Sequence, residues 1–134
     1  MIKDIGNGWA NIVFENTTEE ASYLTDIPID ILNSLKIAFE NNIPAVLFFD
    51  CEGYEIYITL GYYESYLCSN KEEKGMFDLS NRGLKSWAKE ICDDIENQIE
   101  NWSEWGYEDD EDSSRKIKRR ETIELLLKDV KKYL

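Results

Sequence analysis

The spacing of apolar residues divides this chain into a strand-rich first half and a helical second half. Trp9, Ile12, Val13 and Phe14 mark a first strand over residues 9–15, after a loose start at Gly6 and Gly8 and before a break at Asn16, Thr17 and Thr18. Residues 19–27 fit either a helical turn or a short edge strand. Ile31, Leu32, Leu35, Ala38 and Phe39 then recur at helical spacing. Asp26 is placed to cap that helix, Pro28 suits its first turn, and Asn41, Asn42 and Pro44 stop it after about 13 residues.

Residues 45–49 are continuously apolar, which predicts a central strand covered on both faces. Glu52 and Gly53 form a tight turn, after which Tyr54, Ile56, Ile58 and Leu60 alternate with Glu55, Tyr57 and Thr59 as a hairpin partner with one face inward. Residues 62–68 add a further strand, and residues 69–75 a polar loop. From Ser80 onward Leu84, Trp87, Ala88, Ile91, Cys92, Ile95, Ile99 and Trp102 predict one long helix closed by Gly106. An acidic loop over residues 108–114 follows. Ile123, Leu126, Leu127, Val130 and Leu134 predict a docked amphipathic helix from about residue 121.

The expectation is an α+β fold: a small mixed or antiparallel sheet of three to five strands with one crossing helix, followed by a helical C-terminal half. We expect a single domain over residues 1–134, with strands and short helix at about 9–68 and the helical part at about 80–134. At 134 residues such a chain buries enough surface to fold without metal or disulfide help. Cys51, Cys68 and Cys92 are odd in number and set among apolar residues, as reduced core thiols would be. No apolar run approaches the roughly 18 to 20 residues that span a bilayer, and neither end shows a signal sequence, so a cytoplasmic protein with no membrane partner is expected.

Charge changes the picture most. The chain carries −13 overall, yet residues 115–134 hold eight of the 15 Lys and Arg against three acids, a net of +5, which leaves −18 on the rest. Such a division concerns fields and partners more than fold. On the predicted long helix Asp93, Glu96, Glu100 and Glu104 share one face at intervals of roughly 4.5 to 6 Å, on the scale of the 3.4 Å per phosphate of one DNA strand. Glu108, Asp109, Asp110, Glu111 and Asp112 extend this ridge, and Trp105 and Tyr107 stand among its acids as candidate interface anchors. The ordinary alternatives are a solvated helix face, a basic tail folded back on the acids, and, for Trp102 and Trp105, core packing.

Other chemistry is sparse. The chain contains no His, no phosphate-binding glycine loop and no paired-cysteine motif, which removes the usual triads and most zinc chemistry. Asp50 and Glu52 are too few for a divalent-cation site, and the 108–112 run lacks EF-hand spacing, so neither metal nor cofactor is expected. The cluster Arg115, Lys116, Lys118, Arg119 and Arg120 has enough charge to touch nucleic acid, but the neighbouring −18 opposes it.

Small, acidic and without catalytic motifs, the chain resembles in general character the phage anti-CRISPR and other anti-defence inhibitors and the bacterial toxin-immunity proteins. The division of charge and the missing catalytic motifs lead to the same expectation, a non-enzymatic inhibitor of a basic nuclease, toxin or CRISPR effector, with nucleic-acid mimicry as one route to blocking it. The rival expectation is an acidic adaptor that forms a homodimer by laying its basic C-terminal helix on the acidic helix of a second copy.

Overall fold

The computed structural model describes residues 1–71, 76–79, 82–105 and 113–134. Strands β1 (Ile2–Gly6), β2 (Trp9–Phe14) and β3 (Thr17–Ser22) form one antiparallel sheet in the order β1-β2-β3. Helix α1 (Ile27–Asn41) leads to a second antiparallel sheet in simple meander order: β4 (Ala45–Asp50), β5 (Glu55–Leu60), β6 (Ser65–Ser69) and β7 (Met76–Asp78). Helices α2 (Leu84–Asn97), α3 (Ile99–Ser103) and α4 (Ser113–Lys131) complete the chain. This is an α+β fold with a helical C-terminal half, its strands shared between two small sheets.

Local chemistry explains both the matches and the differences. The expected loose start is a β-hairpin: Asn7 (φ 51°) and Gly8 (φ 76°) make the left-handed two-residue turn that Asn-Gly favours, with Gly6 pairing Trp9 across it. Thr17 and Thr18 do not break the chain. The turn falls two residues earlier, at Glu15 and Asn16, and residues 17–22 return as β3. Helix α1 buries Ile31, Leu32, Leu35, Ala38 and Phe39 as its spacing requires. Asp26 occupies the N-cap position but makes no side-chain cap bond, because its carboxylate is engaged elsewhere.

The apolar run 45–49 forms an edge strand with one face outward, not a central one. Ala45, Leu47 and Phe49 are buried while Val46 is 51% exposed. The free edge of β4 is blocked locally: Ser34 Oγ on α1 donates to Val46 O (2.7 Å) and accepts from Val46 N (3.1 Å). The expected single long helix is interrupted at Gln98 (φ −119°, ψ 24°), which separates α2 from α3. The Gln98 side chain donates to Ile2 O at 2.7 Å, so the break ties the helices to β1. Among the described residues α4 begins at Ser113, eight residues before the expected start.

The buried side chains form one continuous cluster. Phe14 of β2 meets Trp87 of α2 at 5.2 Å between ring centroids, and Trp102 of α3 meets Trp105 edge-on at 5.0 Å. No described helix is long and apolar enough to cross a membrane.

Candidate protein-interaction site

Helix α4 binds its own chain through a stripe of buried residues at 119, 123, 127 and 130. Burying Ile123, Leu127 and Val130 contributes about 1.5 to 3 kcal/mol each. The fourth position of the stripe is Arg119, only 8% exposed. Its guanidinium takes both Asp26 carboxylate oxygens and donates from Nε to Trp102 O at 2.7 Å. Asp26 therefore serves as counterion to α4 and leaves α1 without its side-chain cap.

The same docking brings cations onto the predicted acidic ridge. Lys131 reaches Glu96 (2.6 Å), Arg120 reaches Glu100, Lys116 reaches Glu104, and within α2 Lys89 holds Asp93 (2.7 Å). These pairs are exposed, so each adds little to stability. Their effect on the field is larger, because a carboxylate next to a cation acts beyond the Debye length of roughly 10 Å as a weak dipole. Asp93, Glu96, Glu100 and Glu104 thus lie along one side of the helical half, but each is matched by a cation of this chain. Trp105 is 5% exposed, and its Nε1 donates to Thr25 O at 3.2 Å. It belongs to the core, as does Trp102. Tyr107, Glu108, Asp109, Asp110, Glu111 and Asp112, like Gly106, lie outside the described residues.

On α4 itself Asp129 bridges Lys36 of α1 and Lys132. Hydrogen bonds from Lys132 and Lys36 (2.7 and 2.9 Å) hold its carboxyl down to about 2, below the ordinary value of 3.8. A depressed carboxylate stabilises the fold fully above its unfolded value and loses that contribution as pH falls through its folded one. The window is therefore pH 4 to 2. An NMR titration should place the Asp129 midpoint near 2 and return it toward 3.8 in a Lys36→Met/Lys132→Met variant. An unshifted midpoint in the parent protein would refute the bridging.

A second surface was not singled out by sequence reasoning. On the outer face of the β4–β7 sheet, register places Val46, Thr59 and Tyr66 in one row and Phe48, Tyr57 and Cys68 in the next. The opposite face holds Leu47, Phe49, Ile56, Ile58 and Leu67 in the core. Tyr57 remains 42% exposed, with its ring 5.0 Å from that of Phe48. Carboxylates rim the face: Asp50 pairs in register with Glu55 at one end, while Glu64 and the exposed Asp78 flank Tyr66 at the other. The signal was present in the sequence, since between Lys36 and Lys71 there is no Lys or Arg but five carboxylates: Glu40, Asp50, Glu52, Glu55 and Glu64.

A polar cluster joins the two sheets. The Tyr54 hydroxyl donates to the buried Glu19 carboxylate, and Lys71 Nζ lies 3.4 Å from Glu19 and 4.6 Å from the Tyr54 ring centroid. Burial pushes the adjacent Cys51 thiol up to about 11, so at neutral pH it is a packed thiol and a poor nucleophile. Burial acts in the same direction on Cys92, also to about 11. Cys68 is only half-buried, on the outer sheet face. Asp50 Oδ1 accepts from Glu52 N at 2.8 Å, which closes the β4–β5 turn. No described group of acids and cysteines is arranged to hold a metal ion.

No family model, curated protein or solved structure matches this chain.

Proposed function

We propose that this chain is a non-enzymatic inhibitor that binds and blocks a basic nucleic-acid-processing protein, a nuclease, toxin or CRISPR effector, in the manner of anti-defence or immunity proteins. The observation that carries the reading is the aromatic outer face of strands β4 to β6, which contain no cation, with Val46 and Tyr57 exposed on it and Asp50, Glu55, Glu64 and Asp78 at its rim. An overall charge of −13 steers a basic partner toward the molecule, and exposed aromatic rings supply the buried contact that steering alone lacks. Asp93, Glu96, Glu100 and Glu104 contribute little here, because Lys89, Lys131, Arg120 and Lys116 occupy these four carboxylates. Nucleic-acid mimicry remains one route by which such an inhibitor blocks its partner.

The test is displacement of labelled nucleic acid from nuclease toxins and CRISPR effectors, read by fluorescence anisotropy at low and high salt. Displacement that weakens with salt supports the reading. Its absence across such proteins, together with capture of a partner lacking a basic surface, would overturn it.

A self-associating adaptor is the second reading. Its basic helix already meets the acidic helices of its own chain and buries Ile123, Leu127 and Val130 there. A dimer built on α4 would have to exchange these contacts between copies, and light scattering across a salt series detects it.

A further inference from the structure

We infer that the outer face of the β4–β7 sheet is an arginine receptor, whose occupant is an arginine-bearing segment of the partner that stacks guanidinium groups on Tyr57 and Tyr66 and ion-pairs them to Glu55 and Glu64. The inference rests on the reading of a cationic partner and adds where, and through which chemistry, it is held.

The basis is a repeated unit. Glu55-Ile56-Tyr57 and Glu64-Ser65-Tyr66 each place a carboxylate and a tyrosine two residues apart, the first pair on one face of β5 and the second with Glu64 just ahead of β6. In both, the phenol donates to the glutamate: Tyr57 to Glu55 Oε2 at 3.1 Å, and Tyr66 to Glu64 Oε2. These hydrogen bonds are the chief reason both phenols are held above their ordinary value, so each remains a protonated donor that fixes its carboxylate beside the ring. Asp78 adds negative charge near Tyr66. Among the described residues no cation pairs with Glu55 or Glu64, in contrast to Asp93, Glu96, Glu100 and Glu104.

Arginine fits such a unit better than lysine, because a planar guanidinium can lie on a ring and still present N–H groups to a carboxylate at its edge. The chain displays this chemistry once already: Arg82 lies 3.9 Å over the Trp87 ring while its Nη2 pairs with Glu90 at 2.7 Å. Tyr57 sits opposite Cys68, and Tyr66 opposite Thr59, so the two residues are diagonal neighbours whose backbone positions are about 7 to 8 Å apart. Arginines two residues apart on an extended segment, roughly 6.6 Å, match that spacing. Ser34 occupies the β4 edge at Val46, so the partner meets the face and does not add a strand there.

The experiment titrates arginine and lysine homopeptides of equal length into the labelled protein and follows affinity and amide shifts. The expected result is binding at least about fivefold tighter for the arginine peptide, with shifts concentrated in β4 to β6. The preference should disappear in a Tyr57→Ser/Tyr66→Ser variant, and in Glu55→Gln/Glu64→Gln if the first fails to fold. Equal affinities at the sheet would sink the arginine receptor and leave the cationic-partner reading standing. Shifts confined to α2, α3 and α4 would do the same. Failure of both peptides to bind would remove both.

Discussion

Trp102→Ala should lower stability by about 4 kcal/mol, the cost of deleting a fully buried indole whose surroundings cannot collapse to fill the space. Trp102 has no exposed surface and touches the molecule on two sides. Its ring packs edge-on against Trp105, itself hydrogen-bonded to Thr25, and its carbonyl receives Arg119 from α4. A void here loosens α3 from both the start of α1 and the docked α4. For a chain of this size the melting temperature should fall by roughly 12 °C. The indole N–H is buried without an acceptor, so Trp102→Phe gives up volume but no hydrogen bond and should cost less than half as much. Urea denaturation of the three proteins measures both. An alanine variant within about 1 kcal/mol of the parent would be incompatible with this packing.

Arg119→Met should cost about 3 kcal/mol, although it removes one charge from a segment full of them. The methionine keeps the apolar stem within the 119, 123, 127 and 130 stripe but strands two groups. Trp102 O loses its Nε donor, and the Asp26 carboxylate at the foot of α1 loses its counterion. The Asp26 side chain is 37% exposed and can recover some hydration, which keeps the loss near the lower end of the 3 to 5 kcal/mol typical of breaking a buried pair. Lysine should not rescue, since a single ammonium cannot serve three acceptors in a plane. Adding Asp26→Asn to Arg119→Met should restore part of the loss by removing the stranded charge. Arg120→Met is the control: its pairs with Glu100 and Glu124 are exposed, and its cost should be far smaller than that of Arg119→Met. If the two methionine variants unfold at the same denaturant concentration, Arg119 is not the buried anchor described.

These two residues separate what periodicity shows from what it hides. The apolar stripe of the last helix was plain at Ile123, Leu127 and Val130, and one turn back it lands on Arg119. Within the run Arg115 to Arg120 that arginine looked like its neighbours, because its partner Asp26 stands 93 residues away. Strand β3 was hidden for a related reason. Its sequence Thr-Thr-Glu-Glu-Ala-Ser turns a glutamate inward, which is tolerable only because Tyr54 and Lys71 arrive from elsewhere to meet it.

By itself, then, the sequence determined the features that repeat every 2 or 3.6 residues: the buried faces of α1, α2 and α4, the β4–β5 hairpin and its inward Ile56, Ile58 and Leu60, and the division of charge along the chain. Those follow from backbone geometry within a few residues and need no knowledge of neighbours. Tertiary structure alone decided which acids are matched and which sheet face is left open. Glu96, Glu100 and Glu104 share one helical pattern in the sequence, yet Lys131, Arg120 and Lys116 reach them only because α4 returns across α2 and α3. Glu55 and Glu64 pair with no cation among the described residues, because the face they rim carries only the uncharged Val46, Phe48, Tyr57, Thr59, Tyr66 and Cys68. Coulomb energy depends on distance in space, and chain order reveals that distance only for residues already close in sequence.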